Sequence, residues 1–239
     1  MQYDKHFNIV TDFLAFHDYQ PNKHYDLILV LGSAIPSVSL AAYKLYLEGQ
    51  STYFMIAGGI GHTTDLLIKN LPGCICHENK SEAALLKEYI EITFNKDDSI
   101  LLEQNSTNCG LNISYAFQEL ESKNISVQTV LLCHDPLLQR RIDLTAKKQY
   151  PNICFSNFCA FIPEVKIIDN QLQLVNKAID QWPIDRYLSL TLGEMSRIYD
   201  DEFGYGPKGA NYICHQDIPK NVENSYSILK KEYQTSIRK

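Results

Sequence analysis

Arginine is scarce in this chain of 239 residues, which has it at only five positions. The acidic residues outnumber the lysines and arginines by 28 to 22, so the net charge is −6 and the isoelectric point is about 5.6. This charge argues against nucleic acid as the main partner, because phosphate backbones require clustered basic side chains. The adjacent Arg140 and Arg141 therefore attract attention as candidate ligands of a phosphate or carboxylate group.

Long hydrophobic runs are also missing. The longest aliphatic run, residues 27–31, has the length of a strand and falls far short of the roughly 20 residues that a membrane-spanning helix needs. The N-terminal segment contains Asp4, Asp12 and Asp18 and lacks the basic and apolar regions of a signal peptide. We therefore expect a cytoplasmic protein without a transmembrane segment.

The seven cysteines include no C-x-x-C pair, and their irregular spacing favours reduced thiols over a disulfide framework. Cys74, Cys76 and His77 form a C-x-C-H cluster, but a structural zinc site needs four ligands and no second pair is evident. No G-x-S-x-G or H-E-x-x-H motif is present, which argues against a serine hydrolase of the α/β type and a zinc protease. We predict no metal site.

Apolar runs alternate with amphipathic segments along most of the chain, which predicts βαβ units and a parallel sheet covered on both faces. The predicted strands cover residues 26–32, 51–59, 98–104, 127–133 and 153–158. The predicted helices cover residues 3–17, 38–49, 80–94 and 106–122, with others of about ten residues from Thr63 and from Asp135 to Tyr150. Ser81 is the predicted N-cap of one helix, and Asp135 with Pro136 is expected to begin another.

We predict one domain, with an N-terminal helix in residues 1–24, an α/β core in residues 25–160 and a C-terminal extension in residues 161–239 that packs on the core. Within the extension, the pattern suggests a hairpin over residues 166–175 and a helix over residues 183–200.

Polar residues follow the ends of the predicted strands, where open parallel sheets bind their ligands. They are expected to converge along one edge and form the binding site. These residues are Gly32, Ser33, Gly58, Gly59, Gly61, His62, Glu103, Ser106, Thr107, Asn108, His134 and Asp135, with Gln139 and Arg140 just inside the next helix.

The stretch "AGGIGHTT" at residues 57–64 follows the second strand and indicates that something comes close to the backbone. Bare N–H groups at a helix N-terminus would bind an anion, although a tight strand-to-helix turn is the alternative. The stretch is neither a P-loop nor a G-x-G-x-x-G fingerprint. We expect valine at Gly59 to abolish ligand binding while the fold survives.

The candidate acid and base groups each have an ordinary alternative. Glu82 is either an acid–base group or only a partner of the helix dipole, and Glu103 accepts from a ribose hydroxyl or is a surface carboxylate. His134 is a candidate acid or base beside Asp135, although neighbours in a turn point apart. Ser106, Thr107 and Asn108 all favour N-cap positions, and three in a row suggest that at least one faces a ligand.

The segments "AGGIGHTT", "SEA", "QNSTNCGLN", "DPLLQRR", "WPIDRYLSL" and "DEFGYGPKG" resemble, in this order and spacing, the YdcF branch of a bacterial family that includes SanA and ElyC. The resemblance covers nearly the whole chain. It implies a Rossmann-like three-layer α/β/α fold, a link to cell-envelope biogenesis and S-adenosyl-L-methionine as the ligand, without an established reaction. The matching positions are Gly58, Gly59, Gly61, His62, Ser81, Glu82, Ser106, Thr107, Asn108, Asn112, Asp135, Gln139 and Arg140.

The chain departs from the wider family at two places. Where that family usually reads N-T-x-E-N, Cys109 and Leu111 replace the threonine and the glutamate, and Leu137 and Leu138 occupy the positions where a histidine usually precedes the arginine. These departures suggest that the chain binds a ligand without the same reaction. The single Gly32 after the first strand also lacks the G-x-G-x-G of common methyltransferases.

We therefore expect a protein that binds a nucleotide-like ligand, with S-adenosyl-L-methionine as the candidate. Glu103 would hold a ribose hydroxyl, and Lys208 in the loop at residues 204–209 would close over the ligand. One alternative is a hydrolase or transferase of phosphorylated envelope precursors, with Arg140 on the phosphate and Glu82 or His134 as the acid–base group. The other alternative is a non-catalytic sensor or scaffold.

Overall fold

A computed structural model of the chain describes residues 3–76, 78–176, 180 and 182–233. The contacts divide the chain into two compact units. Unit 1 contains Met1–Phe16, Pro136–Lys148 and Phe161–Lys239, and unit 2 contains His17–Asp135 and Gln149–Ala160. The single-domain organisation expected from the sequence stays a prediction, and each unit is described by itself.

Eight helices and seven strands follow one another in the described parts of the chain. The helices are α1 Tyr3–Leu14, α2 Ser37–Leu47, α3 Thr64–Asn70, α4 Glu82–Phe94, α5 Cys109–Ser122, α6 Gln139–Gln149, α7 Ile184–Ile198 and α8 Lys220–Glu232. The strands are β1 Tyr25–Leu31, β2 Ser51–Ala57, β3 Leu101–Glu103, β4 Thr129–Cys133, β5 Cys154–Phe158, β6 Val165–Ile168 and β7 Gln171–Leu174.

Unit 2 is built on a five-stranded, all-parallel sheet with the order β3-β2-β1-β4-β5. The central strand β1 is buried along nearly its whole length, as expected of a strand that has a neighbour on each side and helices on both faces. Helices α2 and α4 pack together against β1, β2 and β3, while α5 also contacts these strands. Helices therefore flank this parallel sheet, which gives the Rossmann-like three-layer α/β fold that the sequence predicts.

The described elements of unit 1 include α1, α6, α7, α8 and an antiparallel hairpin of β6 and β7. Helix α1 contacts α7, α8 and β6, with Thr11 Oγ1 lying 2.6 Å from the buried Tyr187 hydroxyl. The hairpin predicted over residues 166–175 is confirmed. Asp169 and Asn170 at its turn have φ values of 51° and 60°, as a type I′ turn requires.

The helix and strand predictions fail mainly at element ends. Helix α3 has seven residues instead of about ten, and β3 has three residues where the sequence predicts residues 98–104. Helix α6 begins at Gln139, so Asp135 and Pro136 are not its N-cap and N1 residues. Helix α8 has no counterpart among the predicted elements, although its buried Val222, Tyr226 and Leu229 have helical spacing.

A search of the described residues finds no helix that combines the length and the apolar character needed to cross a bilayer.

Candidate functional site

The carboxyl ends of β1, β2, β3 and β4 reach the same edge of the sheet. The register pairs Leu31 with Ala57, Ala57 with Glu103 and Val30 with Cys133. The chain passes from β1 through β2 to β3 at one edge and then returns to β4 on the other side of β1, so the order of the sheet reverses between β1 and β4. Ligands of open α/β sheets bind in the crevice outside the carboxyl ends at such a switch point. The residues after β1 and β4 are therefore the first candidates.

The glycine turn at residues 58–61 does not offer bare N–H groups to an anion. The N–H of Gly58 donates to the Glu103 carbonyl at 2.9 Å, and that of Gly59 donates to the Ser106 carbonyl at 2.9 Å. The N–H of Gly61 donates to Thr64 Oγ1 at 2.9 Å. The anion-binding geometry expected at these three glycines is therefore wrong, because the N–H groups stabilise the turn and the neighbouring loop.

The close approach of the Ser106 carbonyl and of Glu82 explains why glycine occupies positions 58 and 59. A Cβ on Gly59 would lie 2.3 Å from the Ser106 carbonyl oxygen, and one on Gly58 would lie 3.2 Å from Glu82 Cβ. The carbonyls of Gly58 and Gly59 also accept from the first N–H groups of α4, at Ala83 and Glu82. The expectation that valine at Gly59 spares the fold is therefore wrong, since the valine would collide with backbone.

Glu82 lies buried in the first turn of α4, behind the Ser81 N-cap that the sequence predicts. The Ser81 hydroxyl accepts from the Ala84 N–H at 3.1 Å. Both threonines at the end of "AGGIGHTT", Thr63 and Thr64, donate to Glu82 Oε1 at 2.9 Å. The other oxygen, Oε2, faces Gly32, where an added Cβ would lie only 2.3 Å away. Glycine after β1 therefore makes room for this carboxylate.

Burial raises the pKa of Glu82 above its ordinary value, although the hydroxyls of Thr64 and Thr63 and the charge of His134 oppose the shift. Glu82 is 5% exposed, so desolvation of the charged form is the dominant effect. The electrostatic interaction with His134 joins α4 to the residue that follows β4. The two residues that the sequence predicts to be catalytic therefore interact electrostatically at this edge of the sheet.

His134 is 1% exposed and also lies beside the first residue of α5. Its Nε2 is 3.7 Å from the Sγ of Cys109, which is a hydrogen-bonding distance for sulfur. Cys109 is partly exposed and directly follows Asn108, the N-cap of α5, whose Oδ1 accepts from the Leu111 N–H. Glu82, His134 and Cys109 therefore form a cluster from three separate elements, which we call the switch-point cluster.

Glu103 is as buried as Glu82 but makes different contacts. Its Oε1 accepts from the N–H groups of Asn105 and Ser106, and its Oε2 accepts from the Ser106 hydroxyl. Both oxygens are thus committed to the loop between β3 and α5. The expected hydrogen bond to a ribose hydroxyl has no support in this geometry, because Glu103 stabilises its own loop instead.

The remaining predicted residues of unit 2 fall into two groups. The exposed ones lie on the loops of the carboxyl edge and are His62, Thr107 and Asn108. The buried ones are Ser33, Ser81, Ser106, Asn112 and Asp135. In this second group, the hydroxyls of Ser33 and Ser106 accept backbone N–H groups at Ile35 and Gly59.

Three predicted residues belong to unit 1, and their part in the site stays a prediction. Gln139 is fully buried at the start of α6. The Arg140 guanidinium lies 4.1 Å from the ring centroid of Phe13 and 4.4 Å from that of Phe16, and it donates to the Phe13 carbonyl. Lys208 is exposed, and its N–H donates to Asp200 Oδ1. Within unit 1, the Arg140 guanidinium therefore packs on two aromatic rings.

A surface groove of about 560 Å³ lies at the opposite end of α5 and the loop that leads into β4. Phe117, Tyr150 and Ile153 contribute apolar surface to it, and Glu121 is its one acidic residue. No histidine or cysteine lines this groove. We place the candidate site at the carboxyl edge, where a buried carboxyl group, a buried histidine and a partly exposed thiol are found.

The residue types at the strand ends do not by themselves predict a chemical role for Cys109. Its place directly after Asn108, a residue that favours N-cap positions, is the sequence signal that points to it. No group of three or more histidine, cysteine, aspartate or glutamate side chains suited to a metal is found in the described parts of the chain. His77 of the C-x-C-H cluster lies outside those parts, so the absence of a metal site stays a prediction.

No family model matches this chain. It is similar to an uncharacterised protein of Streptomyces coelicolor, with 27% identity over 203 residues. The matched region covers 84% of this chain and 79% of that protein.

Proposed function

We propose that this chain binds a nucleotide-like small molecule at the carboxyl edge of its sheet, next to Glu82 and His134. The observation that carries the proposal is the position of a buried carboxylate beside a buried histidine at the switch point between β1 and β4. A buried glutamate is costly to keep unless its carboxylate has a task, so perturbed groups of this kind concentrate at functional sites. We place the acid–base function on Glu82 and His134.

Their arrangement suits proton transfer to and from a bound molecule. A raised pKa allows Glu82 to hold a proton closer to neutral pH than an exposed glutamate does. The hydroxyls of Thr63 and Thr64 fix one carboxylate oxygen, so the group is oriented as well as buried. Removing such a group typically reduces the rate by about 100-fold or more.

S-adenosyl-L-methionine remains the first candidate ligand because of the family resemblance alone. The structure withdraws two of the contacts that we expected for it, since Glu103 and the N–H groups of Gly58, Gly59 and Gly61 bond within the protein. The exposed polar side chains at this edge include those of His62 and Thr107, and that of Asn108, whose Oδ1 also caps α5. The ligand would therefore lie against these loops and not on the glycine backbone.

The alternative of a phosphoryl-group hydrolase or transferase loses the same support. It requires the glycine turn and Arg140 to bind a phosphate, and both make other contacts within their own units. A link to the cell envelope rests on the family resemblance alone.

Mass spectrometry of the denatured protein tests the proposal without a choice of ligand, by identifying small molecules that co-purify with it. Isothermal titration and thermal shift with S-adenosyl-L-methionine and adenine nucleotides then test the named class. We expect binding to the wild-type protein and weaker binding to the His134→Asn variant. Asp26→Asn is the matched control, because Asp26 lies at the amino end of β1 in the same sheet.

Binding of equal strength to the wild-type and His134→Asn proteins would place the ligand elsewhere. No co-purified molecule, no heat and no thermal shift at millimolar ligand would overturn the proposal. Binding without turnover of any added acceptor would favour the sensor alternative over an enzyme.

A further inference from the structure

We propose that Cys109 is a nucleophilic thiol, activated by His134, which accepts an acyl group from an ester ligand at the carboxyl edge. The Sγ–Nε2 distance of 3.7 Å puts a nucleophile within reach of a base. The third member of the switch-point cluster, Glu82, interacts with the same imidazole. A thiol within reach of a base is the core of a covalent catalytic site.

The surroundings of Cys109 differ from those of the other described cysteines. It is the first residue of α5, a helix of 14 residues. It is partly exposed, so a ligand can reach it, while His134 is 1% exposed. By contrast, Cys133 is fully buried, and burial raises the pKa of its thiol.

The contact between His134 and the Cys109 thiol favours acyl transfer. The thiol proton passes to His134 Nε2 as Sγ bonds to the carbonyl carbon of the ester. The carbon–oxygen bond to the leaving group breaks, and the alcohol departs with the proton from His134. Water then attacks the thioester with His134 again as the base, which releases the carboxylic acid and restores the thiol.

p-Nitrophenyl acetate is a simple ester probe for this thiol. We expect acetylation of Cys109, measured by peptide mass spectrometry at neutral pH, to precede that of the exposed Cys74 and Cys76. We expect His134→Asn to slow the acetylation of Cys109 about 100-fold, the size of a general-base contribution, and to leave Cys74 and Cys76 unchanged. Cys109→Ser should remove the modified peptide, and Asp26→Asn should retain it.

Acetylation of Cys109 no faster than that of Cys74 and Cys76 in the wild-type protein would overturn the proposal, and this comparison needs no variant. An unchanged rate in a folded His134→Asn protein would also overturn it. The test does not depend on the proposed nucleotide-like ligand. If that ligand does not bind, the acetylation result still stands. If Cys109 is not acetylated faster, the binding result still stands.

Discussion

Glu82 and Glu103 are two carboxylates at the same edge of one sheet, with 5% and 4% of their surface exposed, and they have different roles. Glu103 spends both oxygens on the N–H and hydroxyl groups of the loop that follows it. Glu82 has one oxygen on two threonine hydroxyls and the other in a space that Gly32 leaves open. Burial alone therefore does not identify a functional carboxylate, whereas the partners of its oxygens do.

The glycine turn at residues 58–61 contacts both Glu82 and the loop that follows Glu103. Gly59 packs on the loop of Glu103, and Gly58 packs on Glu82. The turn thus holds a scaffold carboxylate on one side and a candidate catalytic carboxylate on the other.

Gly59→Val should have the largest effect, because its side chain would meet the Ser106 carbonyl at 2.3 Å and the Gln104 carbonyl at 2.8 Å. We expect a loss of about 3 kcal/mol or more in the free energy of unfolding, measured with urea. Gly73→Val is the control, since a Cβ at Gly73 would have no neighbour within 4 Å. A Gly59→Val protein as stable as the Gly73→Val protein would mean that the close approach is absent.

Glu103→Gln should have the next largest effect. The amide keeps one acceptor oxygen but turns a donor toward the N–H and hydroxyl groups of the loop. Each buried donor left without a partner costs about 1–3 kcal/mol, so we expect a loss of that size in urea unfolding at pH 7. An unchanged midpoint would show that Glu103 is not a scaffold residue and would remove the contrast with Glu82.

Asp26→Asn tests a third carboxylate, at the amino end of the sheet. Asp26 Oδ2 accepts from the Gln128 N–H, the Thr129 N–H and the Thr129 hydroxyl at 2.7–3.0 Å. The Gln128 and Thr129 hydrogen bonds lower the pKa of Asp26 below its ordinary value of 3.8. The stability that it adds is therefore present above pH 3.8 and is lost as the pH falls through the folded-state pKa.

We expect Asp26→Asn to cost about 1 kcal/mol at pH 7, in line with the loss of charge-assisted hydrogen bonds at a half-buried site. The difference in unfolding free energy between this variant and the wild-type protein, measured with urea, should be smaller at pH 3 than at pH 7. A difference of the same size at both pH values would show that the charge of Asp26 does not contribute.

Glu82→Gln should have the smallest effect on stability, and it tests whether Glu82 differs from Glu103 in its role. The raised pKa of Glu82 means that its favourable protonated form contributes fully below the ordinary value of 4.5, and that this contribution is lost as the pH rises through the folded-state pKa. Glutamine is never ionised and still accepts from the threonine hydroxyls. The melting temperature of the variant at pH 8 should therefore equal or exceed that of wild type, in contrast to Glu103→Gln. Destabilisation by Glu82→Gln as large as that by Glu103→Gln would make Glu82 a scaffold residue.

The elements with strong local signals were predictable. Continuous apolar runs identified β1, β2 and β4, and Ser81 before an acidic first turn identified the start of α4. Element ends were less predictable: Asp135 and Pro136 have the composition of a helix start, yet α6 begins at Gln139. A local preference of about 1 kcal/mol for a cap is easily outweighed by tertiary packing.

The order of residues is enough to predict the α/β class and the strands at whose ends Glu82, Glu103 and His134 lie. It also predicts that other groups come close to the backbone of the glycines. These features depend on local periodicity and on the alternation of strands and helices, which the order of residues records directly. The folded structure is needed to see which groups contact the glycines and that both oxygens of Glu103 bond to its own loop. It is also needed to see that the Cys109 thiol contacts His134. Those outcomes depend on contacts between residues far apart in the chain, and their ångström-scale distances are set when the strands and helices pack together.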